Sequence, residues 1–269
     1  MKISAPLVVA LFCATPALAQ TEPPKPITVT GSVALVSDYR FRGVSQSDKG
    51  FALQGGVTVN HESGVYAGFW GSNLAGWGTF GGPNLELDLF GGVKKTIGNG
   101  TIDVGLTWYM YPGGSSKTDF AEPYVKLSGT VGPATLLAGV AYAPKQQALG
   151  NWSNTPQSRI GNSNDNLYLW GDASSGIPGT ALTLKGHIGY SKGNPGLGPN
   201  GTSVAPTGEY VDWLLGADYL VGPVTLGVAY VDTDITRAGS AYLAPNFTRQ
   251  SDASSISGPR VVFSVTAAF

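Results

Sequence analysis

Residues 259–269, PRVVFSVTAAF, alternate with a period of two: Val261, Phe263, Val265, Ala267 and Phe269 share one face, and Val262, Ser264, Thr266 and Ala268 the other. β-Branched and aromatic residues in strict alternation predict a strand. The chain stops inside that strand, on Phe269. A soluble chain usually ends in a frayed polar tail, and an apolar edge strand invites aggregation. A strand that closes a barrel and turns its outer face to lipid has neither problem. A terminal Phe on such a strand also resembles the sorting signal that outer-membrane barrels present to their assembly machinery. Taken alone, the stretch fits the last strand of a soluble sandwich as well, so the rest of the chain decides.

The N-terminus reads as an export signal over residues 1–19. Lys2 supplies the positive start, residues 6–12 the apolar core, and Ala17-Leu18-Ala19 a small-residue cleavage site before Gln20. That core is too short for a membrane helix. Cys13, the single cysteine, lies within it behind bulky Phe12, which disfavours a lipoprotein site. Removing Lys2 from the 16 basic residues leaves 15 against 17 acidic ones, a net charge of −2 without a basic stripe. No nucleic-acid partner is expected on those grounds. Charged residues make up only 12% of the chain and glycines number 39, with no apolar run long enough for a helical span. An exported chain that is rich in Gly and aromatics and poor in helix pattern has the profile of a membrane barrel.

After a short Pro-rich leader at 20–27, twelve strands are expected at about 28–42, 51–59, 64–72, 84–95, 101–111, 121–131, 134–143, 166–172, 181–191, 209–220, 224–234 and 260–269. The third and eighth are ambiguous in phase. Connections after even-numbered strands are short (60–63, 96–100, 132–133, 173–180, 222–223). Those after odd-numbered strands are mostly longer (43–50, 73–83, 112–120, 144–165, 192–208, 235–259). Regular alternation of that kind matches an up-and-down barrel with short periplasmic turns and long external loops. A Greek-key sandwich gives no reason for it. The turn and strand TVGPATLLAGVAY at 130–142 echoes LVGPVTLGVAY at 220–230, from hairpin duplication or from similar demands of tight turns. The fold class is therefore all-β, a transmembrane antiparallel barrel over residues 28–269.

Placing the apolar face against lipid fixes the inner face by parity. In the first strand, Val33, Leu35, Tyr39 and Phe41 are expected outward, and Asp38, Arg40 and Arg42 inward near the external mouth. Glu86, Asp88, Lys94, Asp103, Glu122, Lys126, Lys185, His187, Asp212 and Asp218 also fall on inward phases. A Lys or Arg facing lipid at the midplane would cost roughly 2–4 kcal/mol, so the pattern separates lipid from water. The candidate pore-lining set is Asp38, Arg40, Arg42, Glu86, Asp88, Asp103, Lys126, Lys185, Asp212 and Asp218. With seven acids to five bases, once Glu122 and Lys94 join that set, an open pore would prefer cations mildly. The same residues can instead pair and fill a narrow barrel, since twelve strands lie between the filled eight and the open sixteen.

Aromatics near the expected strand ends (Tyr39, Phe41, Trp108, Tyr109, Tyr111, Tyr142, Tyr190, Tyr210, Trp213, Tyr219) read as interface girdles. Sugar stacking applies only to the inward Tyr109 and Tyr111. Catalytic patterns are weak: His187 has Ser191 four residues on, and a lumen histidine satisfied by its neighbours is the better reading. The stretch GNSNDN at 161–166 lacks the spacing of a calcium loop, and no zinc, phosphate-loop or nucleotide motif is present. No cofactor or metal is expected, and no enzyme.

The segment SVALVSDYRFRGVSQSDKGFALQGGV at 32–57 resembles the opening of the TorF porin family of Gram-negative bacteria. VYAGFWGSN at 65–73 and LELDLFGGVKKTIG at 85–98 continue the likeness, which is close over the first third of the chain. Membership would imply an outer-membrane barrel acting as a channel, and it transfers no site residues. The combined expectation is an outer-membrane barrel for passive diffusion of small hydrophilic solutes or ions. Its partners would be outer-membrane lipid and, through the strand ending at Phe269, the barrel-assembly machinery. The alternatives are a closed barrel whose external loops serve adhesion or envelope contacts, and an outer-membrane enzyme.

Overall fold

The computed structural model describes residues 26–79, 82–114, 118–150, 162–195 and 204–269. The expected export signal, and most of the leader after it, lie outside the described residues. So does the start of the GNSNDN stretch.

Twelve antiparallel strands close into one barrel: β1 (Ile27–Val36), β2 (Ala52–His61), β3 (Val65–Asn73), β4 (Leu85–Ile97), β5 (Gly100–Met110), β6 (Phe120–Val131), β7 (Ala134–Gln146), β8 (Asn164–Gly176), β9 (Leu182–Gly193), β10 (Glu209–Val221), β11 (Val224–Thr233) and β12 (Arg260–Ala268). Each pairs with its neighbour in sequence, and β1 pairs with both β2 and β12. The tight turns after β2, β4, β6, β8 and β10 gather at one end, and the long connections at the other. Gly98, Gly132 and Gly222 start or occupy those turns at φ near +60°, a conformation that other residues adopt at a cost.

The two faces of the wall separate as parity requires. Val33, Leu35, Val104, Leu106, Leu215, Tyr219, Val261, Phe263 and Val265 stand exposed on the outside, with Leu215 67% exposed. Asp103, Thr107, Lys126, Asp212 and Thr266 are buried on the inside. An apolar exterior around a polar interior inverts the plan of a soluble protein and suits a hydrocarbon solvent. Closure is completed by Phe269, which exchanges two backbone hydrogen bonds with Gly31, at 2.8 and 2.9 Å. Its ring lies over Gly31, where any Cβ would overlap it. The same device recurs inside: Tyr66 lies over Gly92, Tyr124 over Gly105, Trp170 over Gly139 and Tyr168 over Gly189. Glycine in these strands makes room for an aromatic laid flat against the wall.

Two sequence expectations need correction. The first strand does not run to residue 42; it ends at Val36, and residues 37–50 turn into the barrel. The run DYRFR alternates like a strand, yet Arg42 and Gly43 take φ of +49° and +79°, which end any extended run. Tyr39 and Phe41 therefore do not face lipid: Tyr39 is buried, edge-on to Trp70 at 5.4 Å, and Phe41 packs on Tyr109 at 5.8 Å. The eighth strand is longer than expected, reaching Gly176, because ladder bonding to β9 extends through Ala173, Ser174 and Ser175. Those small residues carry no alternation that a sequence reading could use.

Two predictions follow from the wall and its ends. Leu215→Arg should destabilise the barrel by about 2–4 kcal/mol if that position lies at the bilayer midplane, measured by reversible unfolding in lipid vesicles; an unchanged midpoint would remove Leu215 from the lipid face. On intact cells, a cysteine at Ser251 on the long-loop end should react with an impermeant thiol reagent, and one at Asn99 in a short turn should not. Reversed labelling would invert the orientation.

Candidate functional site

The site is the barrel interior, and its long-loop half is occupied by residues 37–50. A two-by-two hairpin, Arg40–Phe41 with Val44–Ser45, gives this segment its shape. Asp38 is its anchor, accepting from Arg40 Nε at 2.9 Å and from Ser45 Oγ at 2.5 Å. Arg40 Nη1 also donates to the carbonyls of Gly43 (2.9 Å) and Gly258 (2.8 Å). Above it, Ala75 N donates to Gln46 O and Ser45 N to Ile256 O, both at 2.9 Å. Trp77 meets Phe247 edge-on at 4.6 Å, so residues 74–79 and 234–258 roof the segment.

Arg42 ties the segment to the wall. Its Nη2 donates to both Glu122 oxygens, at 2.8 and 2.7 Å, and its guanidinium lies 4.0 Å over the Tyr168 ring. The Arg42 carbonyl accepts from Tyr210 Oη at 3.0 Å. With the Asn166 amide turned to match its neighbours, its oxygen accepts from Arg42 Nη1 at 2.8 Å. One residue thus touches β6, β8 and β10. Burial disfavours the Arg42 charge, but Glu122, with Tyr109 and Tyr168, outweighs it and holds the guanidinium above its ordinary pKa. Gly43 follows because a Cβ there would overlap Thr233 and crowd Asp212.

The wall itself sorts its charges by height. Near the long-loop end stand Glu86, which accepts from Tyr39 Oη at 2.9 Å, along with Asp88 and Glu122. Asp88 Oδ1 is buried without a hydrogen-bond partner. All three are acids; the base that meets Glu122, Arg42, comes from the inward segment, and Arg40 of that segment pairs with Asp38 instead. Toward the short-turn end stand Lys94, Asp103, Lys126, Asp172, Lys185, His187 and Asp218. Lys185 Nζ bonds Asp218 at 2.8 Å. His187 Nδ1 meets Asp172 at 2.6 Å, and its Nε2 meets Tyr168 Oη at 2.9 Å and Asp212 at 3.1 Å. Acceptors on both ring nitrogens suit an imidazolium.

All ten pore-lining candidates lie inside the barrel. Asp38, Arg40 and Arg42 do so on the inward segment rather than on the first strand. Among the described residues, interior ion pairs join Arg42 to Glu122, Arg40 to Asp38 and Lys185 to Asp218, and His187 lies against Asp172 and Asp212. Ser191 makes no hydrogen bond to His187; its hydroxyl lies toward Tyr210 instead. Parity missed Asp172, the shortest contact of His187, since the eighth strand lacked a clear phase. It also left Tyr210 in an interface girdle, whereas Tyr210 is buried against Arg42. Trp108, Tyr142 and Tyr219 do stand on the outside.

The family model for the bacterial proteins of unknown function termed Gcw_chp matches residues 20–269. The chain belongs to that family. No curated protein matches it in sequence. Among solved structures, the KdgM porin is similar at a TM-score of 0.52 and 9% identity, covering 89% of this chain and 99% of the porin. An outer membrane channel from Pseudomonas putida F1 aligns at a TM-score of 0.44 and 10% identity, over 93% of this chain and all (100%) of the other. At such identities, the likeness to the KdgM porin is one of fold. This Gcw_chp protein thus shares the barrel fold of the KdgM porin, and its residues 37–50 turn into the barrel.

Removing one partner of a buried ion pair typically costs about 3–5 kcal/mol, because the other charge stays buried alone. Arg42→Met and Glu122→Leu should each destabilise the barrel on that scale, while the two combined should cost clearly less than the sum of the single changes. A double-mutant cycle on unfolding in vesicles measures this; strict additivity would show that the two side chains act independently.

Proposed function

We propose that this protein is an outer-membrane, porin-like channel for passive diffusion of small hydrophilic solutes or ions. The observation that carries the reading is a charge-lined interior enclosed by an exterior of exposed Leu, Val and aromatic residues. A barrel meant only as an anchor has no use for so many buried ions, each of which costs desolvation. The resemblance of residues 32–57 to TorF porins supports the same reading, as does the porin-type fold. The export signal would deliver the chain across the inner membrane, and the assembly machinery would engage β12. The long-loop end is then external and the short-turn end periplasmic.

The inward segment sets the passage. It fills the external half of the lumen, as the constricting segment of a channel would, and its Arg42 neutralises Glu122 of the wall. The roof over this segment favours one competing reading: a permanently closed barrel whose external loops make the contacts.

Planar-bilayer recording of the purified barrel separates the two. The wild type should show small unitary steps. A variant with residues 38–49 replaced by a short Gly-Ser linker should conduct severalfold more. Silence from both proteins would support the closed barrel, and equal conductance would show that the segment does not constrict the path.

A further inference from the structure

Lys94, Asp103 and Lys126 stand in one row across β4, β5 and β6, in the ladder pairs Lys94↔Asp103 and Asp103↔Lys126. All three side chains point into the lumen, toward its short-turn end. Two tyrosines form the next row up. Tyr66 Oη donates to Asp103 Oδ1 at 2.6 Å and is hydrogen-bonded to Tyr124 Oη. Lys94 Nζ lies 4.3 Å from the Tyr66 ring centre, and Lys126 Nζ lies 3.9 Å from that of Tyr124. Each ammonium thus rests on a ring face, and the two rings are joined through their hydroxyls.

The charges in this group do not balance. Within the row two ammonium ions face one carboxylate, Tyr66 already takes one of its oxygens, and Asp172, the next carboxylate facing Lys126, is engaged by His187. Lys126 Nζ is 4.0 Å from Asp103 Oδ2, too long for a hydrogen bond. Lys94 Nζ is buried and has no hydrogen-bond partner. An ammonium carries three N–H donors, so both lysines hold unused donors in a setting where an unpaired charge is costly. Lys94 also reverses the usual habit of lysine, which hides its stem and exposes its head. Here the residue is half-buried while its ammonium is withdrawn from water beneath Tyr66.

We propose that the row Lys94–Asp103–Lys126, with the Tyr66 and Tyr124 ring faces, is a binding station for a small oxyanion, a carboxylate or a phosphate, entered from the short-turn end. An oxyanion offers several acceptor oxygens and one or two negative charges, which are what the two ammonium groups lack. A neutral sugar would satisfy donors but leave the charge. The flexible stem of Lys94 lets its head leave the Tyr66 ring and meet the ligand, with Lys126 on the other side of Asp103. The station needs no conduction through the external half, so a closed barrel would bind as well. Its failure is therefore distinct from failure of the channel reading.

The test is equilibrium binding of inorganic phosphate and of citrate to the folded, full-length barrel, followed by calorimetry, with heat-modifiable gel mobility confirming the fold of each variant. Wild type should bind saturably, and both ligands should weaken as chloride rises. Lys94→Met should weaken binding at least tenfold, and Lys94→Met combined with Lys126→Met should abolish it. Asp103→Asn should tighten it, because it removes the competing carboxylate. If Lys94→Met gives no folded barrel, Lys126→Met serves in the same comparison. No saturable binding by wild type, or binding unchanged in the lysine variants, would overturn the assignment. Binding of phosphate but not citrate would narrow the ligand to compact oxyanions and keep the site.

Discussion

A barrel wall in hydrocarbon has no water to bond its peptide groups, so each N–H and C=O must find a partner in the ladder. Everything else in this protein follows from that requirement. It forces β1 to meet both β2 and β12, and it makes the pair Gly31–Phe269 a structural seam. Once the wall is closed, successive side chains must alternate between lipid and lumen, and a polar residue has only one permitted side.

The polar side then has its own problem. Charges gathered inside a narrow barrel are partly withdrawn from water, and leaving one unmet by an opposite charge, a hydrogen bond or a ring face is costly. The protein solves this differently at its two ends. Near the short turns the partners lie on neighbouring strands, as in Lys185 with Asp218 and His187 with Asp172. Near the long loops the wall supplies Glu86, Asp88 and Glu122; from residues 37–50 the guanidinium of Arg42 arrives to meet Glu122, and the Tyr39 hydroxyl to meet Glu86. The segment is thereby held by charge as well as by packing.

Glycine and aromatic residues share the remaining space. A ring lying flat against the wall needs a strand position without Cβ beneath it, which Gly92, Gly105, Gly139 and Gly189 provide. The rings in turn become supports for cations: Tyr66 for Lys94, Tyr124 for Lys126 and Tyr168 for Arg42. The abundance of both residue types belongs to the interior as much as to turns and girdles.

Period-two alternation and the spacing of turns were enough to read the strand count, the pairing order, the two unlike ends and the inward set from Glu86 to Asp218. Those features depend on local patterns that lipid enforces at each residue. The sequence did not reveal that DYRFRG leaves the wall, because Asp38, Arg40 and Arg42 alternate with Tyr39 and Phe41 as in a strand. Only the tertiary partners, Glu122 on β6, Tyr168 on β8 and Gly258 in the last long loop, make the inward turn favourable. The bond from Asp172 to His187 was hidden for a similar reason: residues 171–176, GDASSG, carry too little apolar signal to fix a phase, and the register with β9 decides it. Alternation is set by a residue's neighbours in the chain, whereas pairing inside a closed wall is set by strands that the sequence keeps far apart.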